Sequence, residues 1–304
     1  VRANFEPDSN RHHVEVHLGQ SWLETPGHAP LSLEGHAEAF LYRDRLEVPA
    51  ISLSSGETKI SGRLKVEPFG DPRVEMTYQV SAPLRAWADR LEWPGLAHGL
   101  IEVEGEAHWD SATGDLGYSG NIQAADLFAP NHPSGEPTVV RAAYEGGQDE
   151  LLLRGIASET LGGKLSGEAS VANPFASDAR RFRVSLRFDE FPLVPIAEMF
   201  LPGSQPRGRF PWTGLVQGTI EAEGSKPADL NVSASVTLSE PKMDLVHRER
   251  LPISGAAELH YDGARRMLTV SRLEALTGPN QVHISGVLAL AGQTPLSIRA
   301  NVAD

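Results

Sequence analysis

The chain has 304 residues, with 40 acidic against 27 basic side chains and a net charge of −13. That balance argues against a nucleic-acid partner, which needs clustered Lys and Arg, and against a basic face adsorbed on anionic membrane. No cysteine is present, which excludes disulfides, thiolate metal centres and cysteine nucleophiles.

Taken in chain order, the segments alternate with period two, the mark of half-buried antiparallel strands. KISGRLKV (59–66) and RVEMTYQV (73–80) come first. Pro83 then opens a stripe of Leu84, Trp87, Ala88 and Leu91, spaced for a short helix over 83–91 with proline at its first position. IEVEGEAHW (101–109) puts Ile101, Val103, Gly105, Ala107 and Trp109 on one face of a strand, and Glu102, Glu104, Glu106 and His108 on the other. FRVSLRF (182–188) follows, then a second stripe behind Pro192 (Leu193, Ile196, Ala197, Phe200) predicts a helix over 192–200. LNVSASVTL (230–238) and VHISGVLAL (282–290) complete the series. Turns are expected at Asp110–Gly114, Gly146-Gly147 and Asp262-Gly263. No run approaches the ~18 consecutive apolar residues of a membrane-spanning helix.

The candidate chemistry is sparse. Glu102, Glu104 and Glu106 could supply an acid/base pair, but on one strand face they read better as a solvated surface. His13, Glu15 and His17 alternate at a spacing that could chelate a metal, yet no second cluster completes a ligand set. There is no G-x-S-x-G elbow and no glycine-rich phosphate loop. We therefore expect no catalytic residue, no metal and no cofactor.

An internal repeat is the most informative feature. KLSGEASV (164–171) echoes KISGRLKV, and VHISGVLAL gives a third copy, so Gly62, Gly167 and Gly286 correspond. GLIEVEG (99–105) matches GTIEAEG (218–224), and LSLEGHAE (31–38) matches LPISGAAE (251–258). A tyrosine approaches each SG strand: Tyr42, Tyr144 and Tyr261. The copies divide one continuous β region, 1–304, into units 31–137, 138–250 and 251–304, each expected to hold about eight strands and one helix and to stack on its neighbour. The third copy stops at Asp304, so we expect a piece of a longer chain. Alternation alone does not separate an open sheet from a closed sandwich whose apolar faces pack together.

The order of these motifs resembles the repeating strands of the AsmA-like superfamily and, within it, the TamB-like (translocation and assembly module) group. The likeness covers an SG-centred strand, a spacer such as EPFGDP or NPFASD, another strand, a short helix, then G-x-I-E-x-E-G. It implies an all-β fold: an elongated, twisted antiparallel repeat sheet curled into a groove (a β-taco), with two short docked helices. It also implies a periplasmic location, a parent chain anchored in the inner membrane, phospholipid acyl chains as ligand, and an outer-membrane barrel protein as a further partner. The groove would be lined by Ile60, Leu64, Val66, Ile101, Val103, Leu165, Val171, Val184, Leu186, Phe188, Ile220, Val232, Val236, Ile284, Leu288 and Leu290. Small residues on that face, such as Gly105, Ala107, Gly167 and Ala169, are expected to leave room for a chain. The expected function is non-enzymatic phospholipid transport between membranes, outer-membrane protein assembly, or both. The alternatives are a structural or adhesive repeat with a closed core and, third, an enzyme acting on envelope polysaccharide.

Overall fold

Strands that alternate apolar and polar residues need cover on one side only, and in this chain they form antiparallel meanders. The computed structural model of the chain describes residues 1–23, 31–85, 99–126, 138–176, 178–193, 212–226, 229–243, 253–277, 280–289 and 297–303. They form two units, Val1–Ala129 with Arg141–Leu151, and Pro130–Val140 with Leu152–Asp304.

Unit 1 contains β1 (Arg2–Glu6), β2 (Arg11–Leu23), β3 (Leu31–Leu41), β4 (Leu46–Ser55), β5 (Thr58–Glu67), β6 (Arg73–Pro83), β7 (Leu100–Asp110), β8 (Asp115–Ala125), and β9 (Val139–Gly147) from Arg141 on. Each strand from β1 to β8 pairs antiparallel with the next. Unit 2 contains β10 (Glu150–Thr160) from Leu152 on, β11 (Gly163–Ala172), β12 (Arg181–Pro192), β13 (Trp212–Gly224), β14 (Asn231–Met243), β15 (Ile253–Asp262), β16 (Met267–Thr277), β17 (Asn280–Ala289) and β18 (Ser297–Ala303). From β11 to β18 the same next-neighbour pairing holds. The chain is all-β and antiparallel, and each unit's sheet is open.

The SG strands are β5, β11 and β17, so among the described residues successive copies lie six strands apart, against the eight expected. Gly62, Gly167 and Gly286 take matching register positions, opposite Tyr78, Leu186 and Ile298. The two helices expected over 83–91 and 192–200 lie, beyond their first residues, outside the described residues. Only the place of the prolines is corrected: Pro83 and Pro192 end β6 and β12, and Arg85 and Leu193, the last described residues of those segments, have α-helical backbone. A proline can close a strand because the end position spares its missing N–H.

Bulges keep the faces in phase. Between Phe188 and Phe191 β12 carries an extra residue relative to β13, with Glu190 at a φ of 59°. The extra residue flips the alternation, so Phe191 rejoins the face that carries Phe188. Pro49, in the bulge between Val48 and Ile51, has no N–H to waste there.

Burial follows the alternation. From Ile101 to His108 in β7 and from Arg181 to Phe188 in β12 the polar residues are exposed and the others half-buried. Five hydrophobic residues of unit 1 are buried, Val48, Ala82, Leu84, Ala142 and Tyr144, and three of unit 2, Leu161, Phe191 and Val216, among the described residues. The last three pack together with Leu165, Phe188, Leu193, Val236 and Leu238 against them. On the apolar faces Met76, Trp109 and Leu273 remain 37%, 40% and 38% exposed. Filled sandwich cores do not leave such side chains open to water.

Candidate apolar binding face

Residues directly opposite in an antiparallel ladder point to the same side, so the registers build each face row by row. In unit 1 one row runs Leu53–Ile60–Val80–Val103–Ile122, a second Val48–Leu64–Met76–Ala107–Tyr118, and a third Leu46–Val66–Val74–Trp109–Leu116. Ile101 stands between Ala82 and Ala124. None of these positions is Asp, Glu, Lys, Arg or His.

In unit 2 one row reads Leu165–Phe188–Gly218–Val236–Ala257–Leu273–Ile284. The next reads Gly167–Leu186–Ile220–Ala234–Leu259–Val270–Gly286. A third begins Ala169–Val184–Ala222–Val232–Tyr261–Leu268, with Leu288 opposite Leu268 in register. Val171 lies opposite Phe182. The groove-lining set drawn from the sequence thus falls on matching register positions within each unit, apart from Leu290, which lies outside the described residues.

The row between the first two of unit 1 differs from its surroundings: Ile51–Gly62–Tyr78–Gly105–Gly120. Here the expectation that glycines leave room is corrected. A Cβ at Gly105 would lie 2.1 Å from the hydroxyl of Tyr144, and one at Gly120 2.6 Å from it. At Gly167 a Cβ would lie 2.1 Å from the carbonyl oxygen of Ser185. These glycines mark places that neighbouring atoms already occupy. The Tyr144 hydroxyl lies 2.6 Å from that of Tyr78 and donates to the Glu104 carbonyl at 3.2 Å. Burial, then the bond to Tyr78, pushes the Tyr144 phenol far above its ordinary range. Burial raises the Tyr118 phenol as well.

Sequence reasoning placed Tyr144 in a repeated motif but missed this contact. Its partner Tyr78 is not repeated, since Leu186 and Ile298 hold the matching positions. Tyr42 does something else again: its hydroxyl accepts from Arg11 at 3.3 Å, and Arg45 lies over its ring.

The opposite face is polar. Glu102, Glu104 and Glu106 face neutral partners, Ser81, Gln79 and Thr77 on one side and Gln123, Asn121 and Ser119 on the other. Asn121 donates to Glu104 at 3.4 Å. A shallow cleft of about 630 Å³ on this side is lined in part by Glu104, Glu106, Arg63 and Asn121. A second, of about 600 Å³, interleaves Glu47, Glu75 and Glu106 with Arg63, Lys65 and His108. Alternating charges of this kind suit a solvated surface. His13 does not join Glu15 and His17: its ring stacks on Phe40 and its Nε2 lies 3.1 Å from Glu38, while His17 packs on His36. Among the described residues no three His, Asp or Glu side chains form a metal-holding group.

No family model, curated protein or solved structure matches the chain.

Proposed function

We propose that the chain is a repeat section of an AsmA-like, TamB-like protein of the bacterial envelope, and that its apolar faces carry phospholipid acyl chains. On this reading it is a non-enzymatic conduit or scaffold. It lies in the periplasm, within a parent chain anchored in the inner membrane. It serves phospholipid transport to the outer membrane, outer-membrane protein assembly with a barrel partner, or both. The observation that carries the reading is the one-sided apolar face of each open sheet, free of Asp, Glu, Lys, Arg and His in its central rows and exposed to water at Met76, Trp109 and Leu273. Hydrocarbon suits such a surface. Each methylene removed from water contributes about 0.8 kcal/mol and needs no specific hydrogen bond.

The test begins with native mass spectrometry and lipid extraction of the purified chain, which should recover phospholipid. Val103→Asp and Leu186→Arg place a charge among hydrocarbon, which costs several kcal/mol unless the charge reaches water. Both variants should fold and lose the lipid, while Glu102→Arg on the polar face keeps it. Unfolding of both, with no lipid on the wild type, would identify a closed-core structural repeat instead. Equal lipid on all three variants would remove the assignment of this face.

A further inference from the structure

On the apolar face of unit 1 Gly105 of β7 stands directly opposite Gly120 of β8. Two opposed glycines leave a trough one side chain deep. Val103 and Ile122 flank it on one side, Ala107 and Tyr118 on the other. By shape and lining it would be a good hydrocarbon site on this face.

It is closed by Tyr144 of β9. The hydroxyl sits over both glycines, at the 2.1 and 2.6 Å given above, and only 8% of the residue is exposed. The closure is fastened by hydrogen bonds. Tyr144 donates to the Glu104 carbonyl, and Tyr78 of β6 can in turn donate to Tyr144 across the intervening strands. Hydrocarbon can replace neither bond.

We propose, resting on the reading that these faces hold acyl chains, that Tyr144 and its latch Tyr78 determine which part of unit 1 such a chain can reach. They keep the Gly105–Gly120 trough shut, and chains lie along the flanking rows through Val103 and Ala107. In unit 2 the matching stretch is Leu186–Ile220–Ala234, without a hydroxyl, so the restriction belongs to unit 1.

Titration of the delipidated chain with cis-parinaric acid, a fluorescent acyl chain, tests this. Tyr144→Ala should open the trough and tighten binding roughly tenfold, the equivalent of about two more buried methylenes. Adding Ile122→Asp should abolish that gain. Tyr78→Phe keeps the ring and loosens only the latch, so it should give a smaller gain in a protein whose circular dichroism matches wild type. It supplies the answer if Tyr144→Ala does not fold. Unchanged binding in folded Tyr144→Ala, or in Tyr78→Phe where Tyr144→Ala is unfolded, overturns the proposal, as does a gain indifferent to Ile122→Asp. If wild type binds no acyl chain and Tyr144→Ala does, the closure stands and the lipid reading falls. If neither binds, both fall.

Discussion

The two units solve one problem in different ways. Through the middle of its apolar face unit 2 runs Leu186–Ile220–Ala234–Leu259, aliphatic side chains on consecutive strands. Unit 1 runs Tyr78–Gly105–Gly120 there and brings Tyr144 over the glycines. The hairpins that precede this region differ as well. Between β10 and β11 Leu161 and Gly162 both have positive φ, 53° and 81°, and the Leu161 side chain is buried against Phe191 and Val216. Between β4 and β5 Gly56 takes the positive φ, 59°, and Glu57 accepts from Arg85 at 2.6 and 2.7 Å. Unit 2 fastens that margin by hydrophobic burial, and unit 1 by an exposed ion pair beside buried Ala82 and Leu84. A repeated backbone pattern thus tolerates either apolar filling or polar bonding, provided each lobe is internally consistent.

The contrast can be broken most forcefully in unit 2. Phe191→Ala should cost about 3 kcal/mol, as for large buried aromatics. Hydrogen exchange should show faster opening of β11–β13 and little change in β5–β8; equal loss in both would mean the cluster is not local to unit 2. Next in size, Tyr144→Phe removes the bonds that the hydroxyl makes to the Glu104 carbonyl and to Tyr78, and should cost roughly 1–2 kcal/mol in denaturant melts. At the unit 2 position that matches Tyr78, Leu186→Val should cost about 1 kcal/mol through packing alone. Of the same size, Gly56→Ala forces a side chain into left-handed backbone and should cost about 1 kcal/mol, although nothing lies within 4 Å of the added Cβ. The counterpart Leu161→Gly relieves that strain but exposes the cluster, so it too should destabilise.

The smallest effect is a pH dependence in unit 2. Asp229, before β14, accepts from the Ser225 hydroxyl and from the main-chain N–H groups of Lys226 and Ser225. These bonds lower its pKa to about 2. A depressed carboxyl stabilises the fold fully above its unfolded pKa of about 3.9 and loses that contribution as pH falls through the folded value. The Tm difference between wild type and Asp229→Asn should therefore be constant near neutrality and shrink from about pH 4 toward pH 2. A difference flat across that range would mean that the carboxylate charge contributes nothing to this turn.

Strand identity was legible because period two is a local property of sequence. The residues of IEVEGEAHW take the faces their spacing dictates, and the turn at Asp110 closes as its Asp-rich sequence suggests, with Asp110 accepting from Ala112 at 2.9 Å. The repeat was legible through Gly62, Gly167 and Gly286. Its strand count was not, because long alternating runs do not announce how many strands they contain. What the glycines do was also hidden. From sequence a glycine on an apolar face reads as space. Only register reveals that Gly105 and Gly120 are opposed and that a tyrosine from the next strand reaches over them. The Phe191 bulge was invisible for the same reason: it depends on pairing across strands and not on the chain itself.

The bond between Tyr78 and Tyr144 also sets how the two faces of unit 1 respond to their surroundings. On the polar face, pairs such as Arg73–Asp110 at 2.9 Å, with Arg73 71% exposed, are weakened by added salt. The bond involves no ion pair, and burial pushes the ionisation of the Tyr144 phenol far from neutral pH. Salt and modest shifts in acidity therefore leave the tyrosine bond untouched while they loosen the exposed side. A compartment open to changing ionic strength would soften the outer decoration of this sheet before it altered the fastening over its glycines.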